Sequence, residues 1–169
     1  MGKPGPGTVQ DHVTERVNAL TQLGRVMGAI GRTEAWPGHA IGLNEAEYAG
    51  LDALVDRAHL ANGWATPENV RHAFRAWGEA LGREALERWT AAYPGLEAPR
   101  GAVRTVGLVL AGNVPLVGLH DVLCVWLSGH RARVKCSSQE PDLLPALVRV
   151  LDHFAPGSAE RIAFTVGKL

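Results

Sequence analysis

The sequence predicts an α/β protein in which an N-terminal helical layer is followed by a β-α-β-α-β unit. Three observations carry this. Apolar residues recur at helical spacing through the first half. The period changes at Thr105, where a near-continuous apolar run begins. Tight turns divide Val103 to Ser138 into strand, turn, helix, turn, strand. The expected organisation is a disordered tail over 1–7, a helical region over 8–93, a linker over 94–101 and a sheet-bearing region over 102–169, with no internal repeat.

The tail is rich in glycine and proline. Val9, Val13, Val17, Leu20 and Leu23 define an amphipathic helix from about Thr8 to Met27, with Gly28 as its stop. Residues 31–43 read as a loop. Asn44, followed by Glu45 and Glu47, caps a helix that runs to about Asn62. Thr66 and Pro67 open a third helix through Val70, Phe74, Trp77 and Leu81, and a shorter one spans Glu84 to Ala92. Thr105 to Leu110 reads as a strand buried on both faces. Pro115 to Leu127 is a helix closed by Ser128-Gly129. Arg131 to Cys136 is a strand with Ala132 and Val134 alternating against Arg131 and Arg133. Pro141 to Phe154 is amphipathic, and Arg161 to Val166 is a third strand.

The 169 residues are 46% hydrophobic and 20% charged, the composition of a globular chain. Lys+Arg and Asp+Glu balance at 17 each, so there is no global basic field for nucleic acid or an anionic membrane. No run reaches the ~20 apolar residues of a membrane span, and the start has no apolar signal core. Cys124 and Cys136 form no CxxC pair, which predicts a reduced, cytoplasmic chain. The seven histidines fall in no zinc-type setting, so no metal is expected.

Two positions lie where open parallel sheets bind ligands, at the carboxyl ends of neighbouring strands. Asn113 sits at the first strand-to-helix turn. It reads as a helix N-cap, as an amide donor for a developing oxyanion, or as both. Lys135 ends the second strand and is one of three lysines. It reads as a snorkelling side chain or as a cation for a nucleotide ribose or phosphate, with Ser137 and Ser138 adding hydroxyl groups. His120 and Asp121 are adjacent and are not expected to share a face; Asp121 is expected to pair with Arg131 or Arg133. Cys124 reads as a buried, inert thiol. Cys136, beside Lys135, reads as a thiol of lowered pKa without an evident base. Trp77 and Trp89 read as core. Neither GxGxxG nor GxxxxGK[ST] is present.

The string LAGNVPLVGLHDVLCVWLSGHRARVKCSS, Leu110 to Ser138, resembles the signature of the acyl-CoA reductases of the LuxC type, which supply fatty aldehyde in bacterial bioluminescence and have relatives in other bacteria. WATPENVRHAF, Trp64 to Phe74, and DLLPALVRVL, Asp142 to Leu151, fit the same family, and the resemblance covers roughly residues 44–169. More distantly the chain is similar to the aldehyde dehydrogenase superfamily, whose PWN and KPSE motifs correspond to GNVP and KCSS.

The resemblance implies a Rossmann-like half of an aldehyde-dehydrogenase-type fold and NADPH-dependent reduction of a fatty acyl-CoA or acyl-protein thioester to the aldehyde, through a cysteine thioester. It implies that the amide of Asn113 stabilises the oxyanion and that Lys135, with Ser137 and Ser138, meets the cofactor ribose. Ser138 stands where enzymes preferring NAD often carry a glutamate, which favours a 2′-phosphate and so NADPH. It also implies that Cys136 is not the nucleophile, and that the nucleophilic cysteine lies beyond the equivalent of Leu169. The chain is then expected to be a partial enzyme, inactive alone, that associates with other subunits. The competing expectation is a non-catalytic binding or assembly module that keeps part of this fold.

Overall fold

The computed structural model describes residues 9–96 and 102–165. The expected tail, most of the expected linker and the end of the third strand at Val166 lie outside them. Among the described residues there are seven α-helices and a three-stranded parallel sheet. The helical half comprises α1 (Val9–Gly31), α2 (Glu45–Arg57), α3 (Pro67–Ala80) and α4 (Arg83–Ala91). The second half runs β1 (Thr105–Val109), α5 (Leu119–Leu127), β2 (Arg131–Lys135), α6 (Leu143–Phe154), α7 (Ser158–Arg161) and β3 (Ile162–Phe164).

The amphipathic stripe of α1 buries Val17, Leu20, Leu23, Val26, Met27 and Ile30. The helix does not stop at Gly28 but continues to Gly31. Its glycines mark a close crossing with α3. A Cβ at Gly78 would lie 2.7 Å from the Cα of Gly28, one at Gly24 2.7 Å from the Cβ of Leu81, and one at Gly31 2.6 Å from the backbone nitrogen of Arg75. Gly78 is therefore needed for its missing side chain, and Gly28, whose backbone it meets, lies within the helix rather than ending it. At the end of α1, the carbonyls of Ile30 and Gly31 accept hydrogen bonds from Arg71 (2.7 Å) and Arg75 (3.0 Å) of α3. Arg71 also pairs with Asp52 (2.8 Å) and Asp56 (2.7 Å) of α2, which ties three helices through one guanidinium.

α2 opens with the expected cap. The side chain of Asn44 accepts from the Glu47 amide and the Glu47 carboxylate accepts from the Asn44 amide, both at 2.9 Å. It ends at Arg57, and a 3-10 turn over Ala58–Leu60 replaces the expected last turns. Thr66 caps α3 as expected, accepting from the Asn69 amide at 3.3 Å.

The strand order is β1-β2-β3. The register puts Val106, Ala132 and Ile162 in one row and Leu108, Val134 and Phe164 in the next, and these rows face the core. The intervening rows, Thr105 with Arg131, Gly107 with Arg133 and Ala163, and Val109 with Lys135, form the other face. All of these are exposed except the partly buried Lys135. β1 is thus not buried on both faces. Among the described residues it is an edge strand, and its open face carries Val109 at 73% exposure. One buried core joins the sheet to the helical half, with α1 packed against α3, α4 and α6.

The crossing of α1 and α3 gives a paired prediction. Gly78→Ala gains about 1 kcal/mol of helix propensity but forces overlap with the α1 backbone, a cost of about 1–3 kcal/mol, so its melting temperature should fall. Gly50→Ala, mid-helix in α2 with nothing within 4 Å of its Cβ position, should raise it. Thermal denaturation followed by circular dichroism reads both.

Candidate functional site

The turn from β1 to α5 is held at two points. Leu110 first extends the ladder, donating to the Lys135 carbonyl at 3.0 Å. Gly112 then packs so tightly that a Cβ there would overlap the side chain of Ser137, and it would reach within 3.0 Å of the Cβ of Gln139. The turns after β1 and β2 therefore touch. The buried side chain of Asn62 donates to the Gly112 carbonyl at 2.7 Å, and its own oxygen accepts from the Trp64 amide at 3.0 Å. Four residues on, Leu116 adopts a left-handed conformation at φ 61°, which costs a non-glycine residue of order 1–3 kcal/mol. Its side chain is buried, and its N–H donates to both oxygens of Glu140, at 3.0 and 3.1 Å.

Asn113 lies between these anchors. It is exposed, and its side chain makes no hydrogen bond among the described residues. The N-cap reading is corrected: α5 starts at Leu119 with Gly118 at its cap, not at Pro115. The left-handed Leu116 interrupts the helical backbone and delays the start. That leaves the Asn113 amide uncommitted.

Lys135 ends β2 and, with Arg131 and Arg133, belongs to the open face; it forms no ion pair among the described residues. The Ser137 hydroxyl accepts from the Gln139 amide at 3.2 Å, and Ser138 is exposed. These residues offer an ammonium and two hydroxyls, and the carboxylate of the same turn, Glu140, is engaged by Leu116. That donor set suits a phosphorylated ribose. The structure thus brings the Asn113 turn and the Ser137 turn together at one edge of the sheet.

Cys136 departs from expectation. Burial, then the carboxylates of Glu140 and Asp142, push its thiol up to about 11. Lys135 does not offset them. Cys124 departs too, being half-buried rather than enclosed. Its sulfur lies 3.6 Å from Nε2 and 3.8 Å from Nδ1 of His120, one helical turn earlier. Asp121 pairs with neither Arg131 nor Arg133; its carboxylate is 3.4 Å from His120 Nδ1, since both side chains are exposed and free to lean together. Trp89 stacks at 5.8 Å on the same imidazole, and a cleft of about 250 Å³ opens between α4 and α5 there. Burial and Asp121 raise the Cys124 thiol as well. A second cleft, of about 570 Å³, lies between α1 and the turn from α6 to α7, and Arg16 and Arg161 in its lining donate to the carbonyls of Leu127 and Gly129.

Asn62 and Glu140 escaped the sequence reading, because each acts on a residue far along the chain with no local motif to mark it. The His120–Cys124 contact had a signal: a spacing of four on a helix.

The described residues define a parallel α/β protein with its candidate site at the carboxyl edge of the sheet. Comparison with protein-family models, with curated proteins and with solved structures found no match. The two thiols should differ in reactivity. Near pH 8 iodoacetamide should label Cys124 well ahead of Cys136, whose thiol loses its proton only near 11; peptide mass spectrometry reads the order.

Proposed function

We propose that the chain contributes to an NADPH-dependent reduction of a long-chain fatty acyl-CoA, or another acyl thioester, to the aldehyde. The observation that carries this reading is the Asn113 amide: exposed, without a hydrogen bond among the described residues, and set between two anchored residues at the carboxyl edge of a parallel sheet. It is supported by the resemblance of Leu110 to Ser138 to acyl-CoA reductases of the LuxC type.

In this reading a cysteine thiolate adds to the acyl carbonyl and expels coenzyme A as its thiolate, which leaves an enzyme thioester. NADPH, when bound, would supply the hydride that takes the thioester to the aldehyde and frees the cysteine as its thiolate. The amide of Asn113 donates to the carbonyl oxygen as it gains negative charge, and so strengthens its hold in the transition state. Lys135, Ser137 and Ser138 bind the cofactor ribose and its phosphate. Cys136 takes no nucleophilic part, because its thiol stays protonated at neutral pH.

Kinetics test these roles. In acyl-CoA-dependent oxidation of NADPH by the chain joined to the segment or subunit that supplies the nucleophilic cysteine, Asn113→Ala should lower kcat by about 10²–10³ with little change in the KM for NADPH. Lys135→Ala should raise that KM more than it lowers kcat. Full turnover in Asn113→Ala overturns the oxyanion role.

A second reading, a non-catalytic assembly module, is favoured by the outer edge of β1. No strand pairs with it among the described residues, and Val109, Val103 and Val114 beside it are 73%, 53% and 51% exposed. Such an edge is a template for another chain. This reading expects a defined oligomer that Val109→Lys dissociates, seen by analytical ultracentrifugation; a monomer at all concentrations removes it.

A further inference from the structure

We propose that Glu140 is the positioning residue of the Asn113 turn, a carboxylate clamp that holds Leu116 in its left-handed conformation and loosens when it takes up a proton. Its control over Asn113 rests on the acyl-reductase reading for significance; the clamp itself does not.

The geometry is specific. Both Glu140 oxygens converge on one backbone N–H, that of Leu116. An ionised carboxylate accepts in this way strongly, while a protonated one turns half of the group into a donor with no partner there. Leu116 has a buried side chain and a backbone conformation that leucine seldom adopts. Its conformation is therefore held from both ends, by the core and by the carboxylate. Asn113 lies three residues before it and one after Gly112, which Asn62 fixes. Releasing Leu116 frees one side of the turn that presents the Asn113 amide.

The surroundings place the transition near neutrality. Burial pushes Glu140 up to about 7, and the Leu116 hydrogen bond opposes this only in part. The titratable groups facing it are Arg57 of α2 and Asp142, which line the same cleft, and the Cys136 thiol, which stays uncharged; among the described residues none forms an ion pair with Glu140. The sign follows from the raised value. The folded chain holds the Glu140 proton more tightly than the unfolded chain, so this group's contribution to stability declines as pH rises from its ordinary 4.5 towards about 7. Above that range the clamp is tightest, and the fold bears the cost of a buried charge.

Amide NMR of the whole chain, from about pH 5.5 to about pH 8.5, tests this without substrate or cofactor. The Leu116 amide proton should move downfield with a midpoint near 7, and the Asn113 side-chain amide should follow the same curve. Glu140→Gln, neutral and of the same shape, should flatten both curves. Its melting temperature should also gain on the wild type progressively as pH rises. A flat Leu116 curve in the wild type, or one that survives in Glu140→Gln, overturns the clamp. A Leu116 transition with an unmoved Asn113 amide overturns its control of Asn113. Failure of the acyl-reductase reading shows instead in the Asn113→Ala kinetics.

Discussion

The contact between the backbones of α1 and α3 sets the rest of the structure. Two helices whose glycines meet at Gly28 and Gly78 approach more closely than side chains normally allow. That approach brings Arg71 and Arg75 within reach of the last carbonyls of α1 and lets one arginine bind two carboxylates of α2. With α3 on one side, the remaining apolar residues of α1 face α4 and α6, and the helical half and the sheet share one core.

This arrangement gives the helical half a part in the candidate site. Asn62 follows α2 and the 3-10 turn, yet it fixes Gly112 on the sheet side. Glu140 comes from the turn after β2 and fixes Leu116. The Asn113 turn is therefore defined by non-local partners, one from each half. Strain at Leu116 is sustained because both its side chain and its N–H are engaged, which is how backbone conformations of low intrinsic stability persist in folded proteins.

Much of the fold was legible in the sequence where local physics dominates. The Asn44 cap, the Thr66-Pro67 start of α3 and the alternation of β2 are short-range signals, and the structure has them where expected. The misreadings share a cause. Gly28 looked like a stop because nothing local shows the approaching helix. Pro115 looked like the first residue of α5 because nothing local shows Glu140 drawing Leu116 out of helical conformation. The near-continuous apolar run of β1 suggested two covered faces, but what covers a face is set by distant parts of the chain, and the face carrying Thr105, Gly107 and Val109 is exposed among the described residues. For the candidate site, the positions of Asn113, Lys135, Ser137 and Ser138 at neighbouring strand ends were legible, and their anchors were not.

The open face of the sheet has a definite sign. Arg131, Arg133 and Lys135 follow one another at alternate positions of the central strand, flanked by Gly107, Ala163, Thr105 and Val109, with no carboxylate in those rows. Two copies laid face to face would press like charges together across small side chains that give no shielding. The face thus discourages self-stacking while staying flat enough for a helix to lie on it. A layer that covered it would have to bring its own acids, spaced to meet a cation at every second residue of β2.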